Sequence, residues 1–165
     1  MPQEYTLQQA LKEAIVAKKE LRDFYLEAAE ITEDPAGKQV LQRLSNEVEA
    51  NISKFFKHYR GEEFGDLGEF LTSPPKPQSV MLVELRKALD KNVHAKKARE
   101  LAMREEKAME ETFRSAAMRV VDPLTREVFL EVADDASRHY DVIESEYDFQ
   151  TTRIHDTDVG TFVRE

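Results

Sequence analysis

The sequence predicts an all-α protein, a four-helix bundle made of two homologous helical hairpins that are joined by a long crossover. Three observations predict this fold. Apolar residues recur every three to four positions in four long stretches, which is the spacing of an amphipathic helix. Only 5 of the 165 residues are glycine and 6 are proline, while 41% are apolar. The chain also overlays itself without a gap when it is shifted by 88 residues, the interval from Asp34 to Asp122.

The first hairpin is predicted from its helix starts. Thr6 and Gln9 have the spacing of a capping box, so the first helix should begin after Thr6 and run to about residue 32. Asp34 is a good N-cap and Pro35 suits a first helical position, so the second helix should run from there to about Tyr59. The segment 60–78 holds three glycines and three prolines, which predicts the long crossover.

The second hairpin and the tail complete the chain. The third helix is predicted over about residues 79–119, with an interruption near Asn92–His94, and the fourth over about residues 123–149, after Asp122 and Pro123. Residues 151–165 lack a helical pattern. We therefore expect one domain at 1–150 and a C-terminal tail at 151–165.

The internal repeat has a consequence for function. The shift places Asp34-Pro35 on Asp122-Pro123 and Ala28-Ala29 on Ala116-Ala117. Two hairpins of one design predict a pseudo-twofold bundle, in which a site at the centre would have been built twice.

Composition excludes several classes of protein. The net charge of -9 argues against nucleic-acid binding, because a negative surface repels phosphate. The chain has no cysteine, which excludes disulfides, thiol nucleophiles and cysteine-ligated metals. No apolar run is long enough for a membrane span, and the first ten residues lack a signal-peptide pattern, so a cytoplasmic protein without membrane contact is expected.

Two stretches carry a family resemblance. They read DFYLEAAEITEDPAGKQVLQRLSNEVEA (23–50) and ETFRSAAMRVVDPLTREVFLEVADDASRHY (111–140). In each, a helix with an Ala-Ala pair is followed by Asp-Pro and a second helix. This arrangement resembles the rubrerythrin branch of the ferritin-like superfamily. The resemblance implies a ferritin-like fold with two irons between the helices, held by one Glu from each hairpin's first helix and a Glu-x-x-His from each second helix.

Most of the ligand positions that the resemblance implies are changed in this chain. The first-helix positions are Lys18 and Glu106, and the Glu-x-x-His positions are Val48 with Asn51 and Ala136 with His139. Only Glu106 and His139 match the family, and no Glu-x-x-His occurs in the sequence. A two-metal centre is therefore not expected. We expect Lys18 instead to approach Glu106 and offset its charge, with Asn51 and His139 completing the hydrogen bonds.

A reduced metal site is the alternative. Asp135 precedes His139 by four residues, a spacing that shares a helix face, so Glu106, Asp135 and His139 could hold one iron or manganese, assisted by Glu110. Against this, Asp135 lies one residue before the expected ligand position, which rotates it by about 100° around the helix. The simpler interpretation is a solvent-facing acid.

Three functions remain open at this point. The first is a structural or regulatory bundle that works as a homodimer with a protein partner. The second is an oxidoreductase of peroxide or oxygen with one iron and an external electron donor, because the family's cysteine-ligated iron domain has no counterpart in this cysteine-free chain. The third is plain metal binding. The tail carries Val159, Phe162 and Val163, which could dock on a second subunit or on a protein partner.

Overall fold

A computed structural model of the protein describes residues 6–75, 79–89 and 94–147. These residues form an all-helical structure. The helices are α1 (Leu7–Ile31), α2 (Pro35–Phe56), α3 (Leu67–Thr72), α4 (Val80–Leu89), α5 (His94–Arg119) and α6 (Pro123–Val142), followed by a π-helical turn at Ile143–Tyr147. Within the described ranges, no helix has the length and apolar character needed to cross a membrane.

Three of the helix starts lie where the sequence predicts them. At α1 the capping box is complete, because the Gln9 N–H donates to Thr6 Oγ1 at 3.1 Å and the Thr6 N–H donates to Gln9 Oε1 at 2.9 Å. Asp34 caps α2 and Asp122 caps α6, each by accepting a hydrogen bond from a backbone N–H three residues later. The local signals at these ends therefore determine the helix starts.

Other boundaries differ from the prediction. Helix α2 ends at Phe56 rather than near Tyr59, and α6 ends at Val142, where the π-helical turn begins. The predicted crossover is not purely irregular, since it contains α3, which Asp66 caps by accepting from the Glu69 N–H at 2.8 Å. The predicted interruption near Asn92–His94 falls largely outside the described residues, as do residues 148–150 and the tail.

The helices pack in two pairs. Helix α1 packs chiefly along α2, and α5 along α6. The connections of three residues at 32–34 and 120–122 make each pair antiparallel. In the first pair, Gln8 near the start of α1 donates to the backbone oxygen of His58, beyond the end of α2, at 3.1 Å. Helix α1 also contacts α4, α5 and α6, so it links the two pairs.

The crossover is tied to the outside of α1. Phe64 and Phe70 pack together with ring centroids 4.7 Å apart, and Phe70 lies 5.8 Å from the ring of Phe56 at the end of α2. Arg22 on α1 donates to the backbone oxygen of Leu71 at 2.6 Å. These contacts hold the segment from Phe64 to Pro74 beside one side of α1. The buried Lys18 lies on the other side of that helix.

Candidate functional site: a buried charged network

Lys18 on α1 is the centre of the site. Its side chain is 1% exposed, and its ammonium donates a hydrogen bond to Asp135 Oδ2 on α6 at 3.3 Å. The second oxygen of Asp135 accepts from Arg138, one turn further along α6, at 3.2 Å. The carboxylate of Asp135 therefore has a cation on each oxygen, one buried and one at the surface.

Burial lowers the pKa of the Lys18 ammonium, because the charged form loses its hydration inside the protein. The carboxylates of Asp135 and Glu106 act in the opposite direction and favour the charged form. A buried charge without a partner is costly, so these acids are what makes a lysine tolerable at this depth.

Glu106 on α5 forms the second part of the network. It is fully buried, and the hydroxyl of Tyr25 on α1 donates to its Oε1 at 2.6 Å. Burial, and after it the negative charge of Glu106, raises the pKa of the Tyr25 hydroxyl well above its ordinary value. Tyr25 therefore keeps its proton and serves as the donor to the carboxylate.

His139 on α6 lies between two carboxylates. Its Nδ1 is 3.4 Å from Glu106 Oε1, and its Nε2 is 3.1 Å from Oε2 of Glu47 on α2. The second contact is a close approach rather than a hydrogen bond, since Nε2 has no partner of acceptable geometry. Within the described part of the chain, Glu106 Oε2 and Asn51 Nδ2 also lack a hydrogen-bond partner.

The structure corrects one of two expectations about these residues. Lys18 turns inward as expected and Glu106 favours its charged form, although the hydrogen bond of the lysine goes to Asp135. Asp135 is 9% exposed and is not the solvent-facing acid of the simpler interpretation. The rotation of about 100° around the helix places it toward α1, where Lys18 reaches it.

The remaining predicted positions contribute little polar contact. Val48 and Ala136 are buried. Asn51 does not complete the network as expected, because its Nδ2 is unpartnered. The carboxylate of Glu110 pairs with Arg114 at 3.0 Å and with Lys107 at 3.7 Å, so it is engaged by surface cations.

Sequence reasoning missed Glu47 as a member of the site and did not predict that the Tyr25 hydroxyl donates to Glu106. The shift of 88 residues could have revealed Glu47, because it pairs Glu47 with Asp135. Both are acids, and both precede the implied ligand position by one residue.

The side chains present do not fit a two-metal centre. The ammonium of Lys18 stands at one implied ligand position, and apolar side chains stand at Val48 and Ala136. Across the residues that the structure describes, no three His, Cys, Asp or Glu side chains are grouped so that they could hold an ion. For the single-metal set, Glu106 and His139 each offer an unpartnered atom, while both oxygens of Asp135 are engaged.

Comparisons with models of protein families, with curated proteins and with solved structures find no match of any of the three kinds. The resemblance to rubrerythrins therefore stands on the residues of this chain alone.

Proposed function

We propose that this chain is a rubrerythrin-like, ferritin-like helical bundle that has lost its two-metal chemistry and serves a structural or regulatory role in the cytoplasm. The observation that carries the proposal is the buried ion pair between Lys18 and Asp135. In the implied family site, metal ions supply the positive charge that binds the inward carboxylates. Here the buried ammonium of Lys18 supplies a positive charge to Asp135 and Glu106.

The network is suited to holding helices together rather than to turnover. Each of α1, α2, α5 and α6 contributes at least one of its side chains: Lys18 and Tyr25, Glu47, Glu106, and Asp135 with His139. The hydrogen bonds from Lys18 to Asp135 and from Tyr25 to Glu106 join α1 to α6 and to α5, and buried bonds of this kind favour the arrangement in which both partners meet. The network therefore supports a role in which a rigid bundle presents its surface to a partner.

We propose a second copy of the chain as that partner in the first instance. Three large apolar side chains are exposed around the turn between α5 and α6: Met118 at 84%, Val121 at 75% and Leu124 at 58%. Large exposed apolar side chains that lie within seven residues of one another are a candidate association surface. Sedimentation of the wild type and of Val121→Lys tests this: a dimer that becomes a monomer is expected, and a wild-type monomer contradicts it.

A second candidate function is a metal-dependent oxidoreductase of peroxide or oxygen, or a metal-binding protein. The observation that favours it is the pair of buried unpartnered atoms, Glu106 Oε2 and His139 Nε2. One iron or manganese would be held by Glu106, His139 and Asp135, and bound metal would supply the redox chemistry. Asp135 would first have to exchange Lys18 for the ion, which makes this the weaker candidate.

Metal content separates the two functions. The full chain is produced in medium supplemented with iron and manganese, and metal per chain is measured in the wild type and in His139→Ala. Bound metal well below one per chain is expected in both. A value near one that is lost in His139→Ala, but kept in the control His58→Ala at the exposed end of α2, would favour the oxidoreductase. A value near two would overturn both proposals.

A further inference from the structure

A cavity of about 390 Å³ lies on the outer side of α1, away from the charged network. Its apolar lining comes from Val16 on α1 and from Phe64, Phe70 and Pro74 in the crossover. The volume falls in the range of roughly 300–1,000 Å³ that is typical of ligand pockets. Neither the buried ion pair nor the family resemblance accounts for it.

The polar wall of this cavity is already organised. The side chain of Lys19 is 8% exposed, and its ammonium donates to Asp23 and to the backbone oxygen of Ser73 at 3.1 Å. An ammonium has three donors, so within the described residues one N–H of Lys19 remains for a further acceptor. The cavity thus combines an apolar surface with a fixed hydrogen-bond donor. A peptide segment would match it if its apolar side chains packed on that surface and one of its main-chain carbonyls accepted from the donor.

We propose that the chain's own C-terminal segment, residues 151–165, docks in this cavity. Phe162 and Val163 supply the apolar side chains, and a carbonyl of the same segment accepts the free N–H of Lys19. The charged residues of the lining are three acids and two lysines. Arg164 directly follows the apolar pair in the sequence, and Glu20 on the lining is its expected partner.

The position of the last described residues allows the contact. Glu146 pairs with Arg43, which lies in the first half of α2. Because α1 and α2 are antiparallel, this part of α2 is level with the part of α1 near Asp23, at one end of the cavity. The 14 residues 148–161 can span about 46 Å when extended, whereas the whole of α1, with 25 residues, is about 37 Å long. The segment can therefore reach the cavity within one chain.

The chain contains no tryptophan, so the fluorescence of a single introduced tryptophan reports on its own surroundings alone. In Phe162→Trp, a docked indole should emit at shorter wavelength than a hydrated one. Its acrylamide quenching constant should fall roughly three- to tenfold, as for a group with 70–90% of its surface buried. The matched control is Thr152→Trp, which carries the sole tryptophan at the start of the same segment and should behave as hydrated. Equal quenching of the two tryptophans would overturn the proposal.

Two further substitutions locate the docking site in the full-length Phe162→Trp protein. Val16→Asp places a charge in the apolar lining, and Glu20→Lys repels Arg164 from the rim. Each should return the quenching constant toward that of the Thr152→Trp control while far-UV circular dichroism is unchanged. If Val16→Asp disturbs the helix, Glu20→Lys at the surface decides alone. Protection that survives Glu20→Lys, or that appears only as the measured mass doubles, would overturn docking within one chain.

Discussion

The α1–α2 pair and the α5–α6 pair follow one sequence design but contribute opposite charges to the core. At equivalent positions the first pair has Lys18 and the second has Glu106, both fully buried. Tyr25 of the first pair donates to Glu106 at 2.6 Å, while its counterpart Phe113 packs on Phe129 with ring centroids 5.6 Å apart. The difference shows that the two pairs do not each build the same site. Each pair supplies half of a single network.

The complementarity has a physical consequence for assembly of the bundle. The acids that neutralise Lys18 lie on α5 and α6, and the hydroxyl that donates to Glu106 lies on α1. A wrong docking of the two pairs would bury one of these charges without its partner, which is strongly unfavourable. The network therefore stabilises the correct docking of one pair against the other. Substitutions within it should measure this contribution to the free energy of unfolding.

The largest effect is expected from Lys18→Met. The change leaves Asp135 and Glu106 without their buried cation, and breaking a buried ion pair from one side costs about 3–5 kcal/mol. Urea unfolding followed by circular dichroism measures the free energy of unfolding. The control is Lys12→Met on the same helix, whose side chain is 53% exposed and which should stay within about 0.5 kcal/mol of wild type. A Lys18→Met protein as stable as the control would contradict the claim that the opposite buried charges of the two pairs stabilise each other.

A smaller effect is expected from Tyr25→Phe, which makes the first pair resemble the second at this position. Loss of the hydroxyl removes a hydrogen bond to a charged group, worth about 1.5–3 kcal/mol. The matched control is Tyr59→Phe, whose hydroxyl bonds Glu63 in an exposed position. Equal unfolding free energies for the two variants would mean that the bond between Tyr25 and Glu106 adds nothing.

The raised pKa of Tyr25 predicts that the stability of the protein depends on pH. Its folded pKa is raised, so above the ordinary value near 10 the unfolded chain loses the proton while the folded chain keeps it. Stability should then fall with rising pH by up to about 1.4 kcal/mol per pH unit more in the wild type than in Tyr25→Phe. Unfolding of both proteins between pH 9 and about pH 11.5 measures the difference. Parallel curves for the two proteins above pH 10 would show that Tyr25 does not titrate differently in the folded state.

The smallest effect is expected outside the core. Arg43 and Glu146 join α2 to the π-helical turn with both side chains about half exposed. Surface ion pairs contribute about 0–1 kcal/mol and are screened by salt. Glu146→Gln should therefore change stability by less than about 0.5 kcal/mol, and less still in high salt. A loss as large as that of Lys18→Met would erase the distinction between buried and exposed pairs.

The sequence predicts the parts of this molecule that depend on neighbouring residues. Thr6 with Gln9, and Asp34 with the backbone N–H of Gly37, fix their helix starts through contacts three residues apart. The short helix α3 was missed although Asp66 is a good cap, because the glycines and prolines around it favoured an irregular segment.

The partners within the candidate site depend on distant residues and could not be predicted in full. Lys18 and Asp135 are 117 residues apart, and which acid the lysine meets depends on the rotation of α6 against α1. The family resemblance implied that positions 18, 106 and 139 belong to one site, and Glu106 lies 3.4 Å from His139 and acts on the charge of Lys18. The resemblance could not show that the buried hydroxyl of Tyr25 would serve as the donor to Glu106.

A double-mutant cycle between Lys18 and Asp135 tests the central claim most directly. Unfolding free energies are measured for Lys18→Met, Asp135→Leu and the double variant. Because replacing a whole buried ion pair by apolar residues is often neutral, the double variant should be more stable than the sum of the single losses by at least about 3 kcal/mol, the loss expected for one single change. Additivity within about 0.5 kcal/mol would show that the two side chains do not interact and would contradict the account of a network held by lysine.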